Sequence, residues 1–173
     1  EDRKRAFRPL LPDVSFITFN DENHLKQITT NTAAIVLETI QGSAGFITPE
    51  NNYLQKVRAK CNETGTLLIL DEIQPGFGRT GKLFGFQNYD VVPDILVMGK
   101  GMGGGMPVGA FTANEKHMDL LAYDPKCGHI TTFGGHPVIA AASLATLQEL
   151  LETNLMEQTL VKEKLFRSLL KHP

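Results

Sequence analysis

Short, solidly apolar runs along the 173-residue chain are separated by stretches with helical spacing, the pattern of βα units around a largely parallel sheet. Val14–Phe19 alternates apolar and polar and predicts a strand, after which Asn20 and Asp21 stand where they could cap a short helix through Leu25 and Ile28. Ala33–Leu37 predicts a buried strand that ends at Glu38. Thr48, followed by Pro49, predicts a helix start; Leu54, Val57 and Cys61 share one face of that helix, and Gly65 suits its end. Leu67–Leu70 predicts a second buried strand ending at Asp71, Ile95–Met98 a third ending at Gly99–Lys100, and Val108–Thr112 a fourth. Pro137 opens a long helix rich in alanine and leucine, and a second amphipathic helix covers about Leu155 to Leu170. Between Asp71 and Pro93 the chain is full of glycine and aromatics without periodicity, and loops of that length in compact domains are usually functional.

The polar groups that punctuate this pattern are informative. Glu38, Asp71 and Lys100 each follow an apolar run directly. In open α/β sheets, ligands bind outside the carboxyl ends of the strands, so three ionisable groups at three such ends form a candidate site. Taken singly, each could simply mark where a strand reaches water.

Composition alters this little. Hydrophobic residues make up 42% and charged residues 21%, ordinary for a globular protein, and a net charge of −2 gives no electrostatic reason to expect nucleic acid. No apolar run approaches the ~18 residues of a membrane span, so no membrane association is expected. The start, EDRKRAFRPLLPD, lacks the apolar core of a signal peptide. Two cysteines, Cys61 and Cys127, are too few for a disulfide framework or a structural zinc site, and a reducing, cytoplasmic location fits best. The chain begins at a glutamate and ends shortly after a strong helix, which leads us to expect an internal piece of a longer chain.

Two phosphate-binding motifs are approached and missed. Gly99–Gly104 satisfies the letters GxGxxG, but Gly105, Pro107 and a strand-like run follow where a helix should open. Gly76–Leu83 nearly matches the P-loop pattern, yet Leu83 occupies the position that must offer a hydroxyl to Mg²⁺. A nucleotide-binding α/β domain therefore remains the rival from a different functional class.

Lys100 sits in VMGKGMGGGMP, a glycine-rich frame without an acidic neighbour. A lysine amine adds to a carbonyl only as the free base, and an apolar frame at the buried end of a strand favours that form, preparing a Schiff base. The glycines admit a flat cofactor close to the backbone. Pyridoxal phosphate needs such a lysine together with a carboxylate against its pyridine nitrogen, for which Asp71 is the natural candidate.

At this point the residues carry a resemblance. LLILDEIQPGFGRTGKLFGFQNYDVVPDILVMGKGMGGGMPVGAF, followed by TTFGGHPVIAAASLATLQ, resembles the class III aminotransferases, fold type I pyridoxal 5'-phosphate (PLP) enzymes of the acetylornithine, ornithine and 4-aminobutyrate aminotransferase kind. The similarity runs from about Ala33 to Leu151. It implies an α/β fold type I large domain: a mostly parallel sheet flanked by helices, incomplete here. Residues 1–152 would form part of this domain, and 153–173 would lead toward a small C-terminal domain. It implies that Lys100 holds PLP as a Schiff base and shuttles the proton, and that Asp71 pairs with the pyridine nitrogen. Ile73 would pack on one ring face, and Gln74 would lie near the phenolic oxygen. Thr132, with Thr131 beside it, would bind the phosphate of the other subunit's cofactor, making a homodimer with shared active sites. Glu38 matches the first glutamate of the family's E-P-x-Q-G motif, here ETIQG, and Ser43 stands where relatives often carry a second, substrate-side glutamate. Thr39 replaces the usual proline, a change expected to affect loop stiffness more than chemistry. The implied reaction moves an amino group from an ω-amino donor to 2-oxoglutarate by a ping-pong route. An aminomutase of the same fold is the nearest alternative. The phosphate cradle and the substrate-carboxylate arginine would lie outside this chain, so residues 1–173 alone are expected to lack turnover.

Overall fold

A computed structural model describes residues 5–123 and 126–170; the outermost residues of the two expected segments, 1–4 and 171–173, lie outside that range, as do 124 and 125. Four strands form one sheet in the order β1-β2-β3-β4: β1 (Ala34–Glu38), β2 (Leu67–Asp71), β3 (Ile95–Gly99) and β4 (Gly109–Ala113). The first three are parallel and β4 runs antiparallel to β3. The stretch 100–108 is shorter than the roughly dozen residues a parallel crossover needs, so the chain can only turn back.

The β1–β2 crossover contains helix α1 (Tyr53–Thr64). Its stripe of Tyr53, Leu54, Val57 and Cys61 is buried against Ile35 and Leu37 of β1 and Leu68 and Leu70 of β2. Burial of Leu54 and Val57 is complete and contributes about 1.5–3 kcal/mol for each. Gly65 ends the helix at φ 74°, its N–H donating to the Cys61 carbonyl, as its spacing predicts. The start differs from expectation. Asn51 and Asn52 hold φ of 49° and 58°, a left-handed turn that asparagine tolerates, and this breaks any helix begun at Thr48.

Val14–Phe19 does not form the predicted strand. Ile17 and Phe19 pack against the core, Phe19 edge-on to Tyr53 with ring centroids 5.2 Å apart, whereas Val14 and Phe16 are exposed. Alternation reports which side chains face the core; a strand needs a neighbouring ladder as well. The short helix that follows is a 3-10 helix, Glu22–Gln27, capped by Asp21 through Asn23 N–H at 2.9 Å.

Three more helices complete the described chain: α2 (Glu115–Asp119), α3 (Pro137–Glu152) and α4 (Leu155–Leu169). α3 lies against the single 3-10 turn Lys100–Gly103 that follows β3. Met156 and Leu160 of α4 pack on Gly78 and Gly81, and Thr159 Oγ1 donates to the Gly78 carbonyl at 3.3 Å. The glycine-rich segment after β2 is thus held between the strand ends and α4. α1 covers one face of the sheet; on the other, Val36 is 65% exposed. Among the described residues no helix is long and apolar enough to cross a membrane.

Candidate active site

The three strand ends converge as their spacing suggests. In the parallel register Glu38 lies beside Asp71, and Asp71 beside Val97, three residues before Lys100. Registered residues of parallel strands share a face, and alternation puts Glu38 and Asp71 on the Val36 side, away from α1. Both carboxylates are half-buried and each is oriented by its own backbone. Glu38 Oε2 accepts from Gly42 N–H at 2.9 Å, and Asp71 Oδ1 accepts from Ile73 N–H at 2.9 Å.

Lys100 leaves β3 in a left-handed conformation, φ 44°. Its amine donates to Gln74 Oε1, so its partner is a neutral amide rather than an acid. The expectation of a buried lysine needs correcting: the residue is exposed, and its amine is held by Gln74 instead of by apolar packing. Ile73 lies with its branch carbons against Gly99, the residue before Lys100. The turn beyond is kept tight by Gly104, at φ 57°, where a Cβ would overlap Thr146 of α3. The chain then enters β4, so Gly104 opens no α-helix and the dinucleotide motif lacks its phosphate-holding element.

A cavity of about 260 Å³ lies at these ends, lined by Glu38, Gly42, Ser43, Phe46, Gln74 and Lys100. A second and larger one, on the open face, reaches Glu38, Gln41 and Asp71, so Glu38 borders both. Sequence reasoning missed Phe46. It sits in the loop closed by the Gln41–Ile47 bridge, with φ 59°, a conformation costing a bulky residue about 1–3 kcal/mol and often retained at functional sites. Nothing local in the sequence signals it, because the strain comes from loop closure. Also missed was Glu72, which is fully buried one residue past Asp71. Its acidic doublet with Asp71 could have raised the question, since only one of two successive side chains can face the open side.

Thr131 and Thr132 are exposed and line neither cavity within this chain. Arg79 and Lys82 lie in the turn-rich stretch between β2 and the 3-10 segment Gly85–Asn88, where Gly81 N–H donates to the Gly78 carbonyl.

Over 167 residues, 92% of this chain, it is 48% identical to a putrescine aminotransferase of Pectobacterium atrosepticum, and spans 36% of that protein's length. An acetylornithine aminotransferase of Elizabethkingia anophelis superposes with a TM-score of 0.83 at 37% identity, over 92% of this chain and 40% of the other. An ornithine aminotransferase of Toxoplasma gondii, described with partial occupancy of PLP at its active site, superposes with a TM-score of 0.81 at 35% identity, over 87% of this chain and 35% of the other. Against protein families, the aminotransferase class-III description matches residues 2–172, a span that takes in every strand end carrying Glu38, Asp71 and Lys100, and the chain belongs to that family.

Proposed function

We propose that this chain is the PLP-binding core of an aminotransferase that moves an amino group from an ω-amino donor of the ornithine, acetylornithine or putrescine kind to 2-oxoglutarate. The observation that carries this reading is the placement of Asp71 and Lys100 at adjacent strand ends, opening on cavities that share Glu38. The donor class follows the relatives named above.

The residues present suit PLP. A lysine amine held only by a neutral amide can exchange that partner for a carbonyl carbon, and a carboxylate oriented by its own backbone suits a protonated ring nitrogen. When bound, PLP supplies a pyridine ring that accepts electrons from the substrate carbon. Lys100 Nζ would carry the cofactor covalently, then take and return the proton at the donor's reacting carbon. Asp71 would hold the proton on the ring nitrogen. Ile73 would wall one face of the ring, and Gln74, which now restrains the Lys100 amine, would turn to the phenolic oxygen. Thr131 and Thr132, exposed here, would bind the phosphate in a partner subunit of a homodimer. Glu38 and Ser43, lining the Lys100 cavity, would meet the substrate. Residues 1–152 would belong to the large domain, with 153–173 leading toward a small one, in a cytoplasmic enzyme.

The test is direct. PLP added to the protein is expected to give a visible absorbance band that sodium borohydride abolishes while leaving the cofactor covalently attached, and Lys100→Ala is expected to show neither the band nor the attachment. Equal bands in both proteins would remove Lys100 from its role. In the full-length protein, a turnover that requires free 2-oxoglutarate separates an aminotransferase from an aminomutase, which needs no keto-acid acceptor.

A further inference from the structure

Glu72 directly follows Asp71, the last residue of β2, and the reading above gives it no task. Its side chain is fully buried. Three donors converge on the carboxylate: Thr39 Oγ1 at 2.5 Å, Gly85 N–H at 2.7 Å and Phe86 N–H at 2.8 Å. Its own N–H donates to the Val97 carbonyl of β3 at 2.9 Å, and its carbonyl accepts from Gly76 N–H at 3.0 Å. One residue therefore ties together the chain just past β1, the edge of β3, the turn at 72–76 and the segment at 85–86. The fit is close: a Cβ at Gly85 would lie 3.2 and 3.3 Å from the two carboxylate oxygens and 3.0 Å from Pro75. A buried carboxylate is costly unless hydrogen bonds offset its lost hydration, and here backbone and side chain from two separate segments supply them.

What this clamp holds is the turn that carries the site. Asp71 precedes Glu72 and is oriented by the N–H of Ile73, which follows it. Ile73 packs on Gly99, and Gln74 holds the Lys100 amine. A shift of the Glu72 peptide would displace all three side chains together.

We propose that Glu72 is a positioning residue for the cofactor site: through Thr39, Gly85 and Phe86 its carboxylate locks the turn that aims Asp71, Ile73 and Gln74 at the open side of the sheet. The proposal rests on the aminotransferase reading only for the identity of the group these side chains meet. Two variants test it. Glu72→Gln keeps the shape but sets an amide NH2 against at least one of the three donors, and Thr39→Val removes a single hydroxyl at nearly constant volume.

Amide hydrogen exchange, read residue by residue by NMR on the chain without cofactor, is the first measurement. Glu72→Gln is expected to speed exchange about tenfold or more at Ile73 as well as at Gly85 and Phe86, with a smaller change of the same pattern in Thr39→Val. Faster exchange confined to Gly85 and Phe86, with Ile73 unchanged, would mean that Glu72 anchors only the neighbouring loop, and the proposal would fall. If Glu72→Gln proves unfolded, the Ile73 amide of Thr39→Val decides. The second measurement is a PLP absorbance titration. Both variants are expected to bind about tenfold more weakly than wild type while unfolding cooperatively. Wild-type affinity in both would overturn the proposal. Lys100→Ala runs beside them as a control: a band unaffected by that change sinks the aminotransferase reading, while the exchange result still stands or falls on its own.

Discussion

At the scale of single residues, Thr39 shows how much a buried hydroxyl can change an assignment. Read along the chain it is a substitution that alters loop stiffness; in the fold it is fully buried and donates to Glu72. The ionisation of Glu72 leads to a measurable pH effect. Burial pushes its carboxyl above the ordinary range; the bonds from Thr39, Gly85 and Phe86 pull it down, and the charge of Asp71 pushes it up again. Tyr89 is the other titratable group that feels it, with burial first and Glu72 second raising its hydroxyl. An acid whose folded pKa is raised binds its proton more tightly when folded than when unfolded. Its stabilising contribution is then present at low pH and is lost as pH rises from the usual carboxylate range through the raised value. The stability of the wild type relative to Glu72→Gln is therefore expected to fall as pH rises from the usual carboxylate range through the raised value. Urea unfolding of the two proteins across that range measures it, and a constant difference would contradict the assigned ionisation.

At the scale of elements, α3 packs on the 3-10 turn after β3 that carries Lys100. Gly104 carries the contact. At φ 57° an alanine costs about 1–2 kcal/mol in backbone conformation, and its Cβ would overlap Thr146, whose hydroxyl is already committed to the Ala142 carbonyl at 2.8 Å. The overlap adds about 1–3 kcal/mol. Gly104→Ala is expected to cost the sum of the two, and adding Thr146→Ala should return the second part but not the first; thermal unfolding of the single and double variants separates them. Failure of Thr146→Ala to recover anything would place the strain elsewhere. α1 supplies the contrasting case, an element whose role can be read from its stripe. Leu54→Ala should cost about 2–5 kcal/mol, since the site is fully enclosed by strands β1 and β2.

At the scale of the whole molecule, the apolar surface is the dominant feature. Val36, Phe133, Val138, Leu144, Leu151 and Phe166 are all more than half exposed. The chain spans only 35–40% of the length of the relatives described above. In the proposed homodimer Thr131 and Thr132, next to Phe133, would reach the partner's cofactor. Sedimentation equilibrium is expected to show a dimer, and Thr132→Ala is expected to weaken PLP binding by about tenfold in that dimer. A monomer at every concentration would exclude the shared-site arrangement.

Much of the architecture was legible along the chain because it is written in local pattern. Four apolar runs became the four strands, the stripe of Leu54, Val57 and Cys61 became the buried face of α1, and Glu38, Asp71 and Lys100 fell at strand ends, since hydrophobic spacing directly encodes which side of an element meets the core. Other features depend on partners distant in sequence. Val14–Phe19 has strand-like alternation but forms no strand, α1 begins at a left-handed asparagine pair rather than at Thr48, Phe46 is strained by the closure of its loop, and Glu72 gathers donors from residues 39, 85 and 86. Periodicity describes one segment at a time, whereas ladders, loop closure and buried hydrogen bonds are satisfied between segments, and only folding brings those segments together.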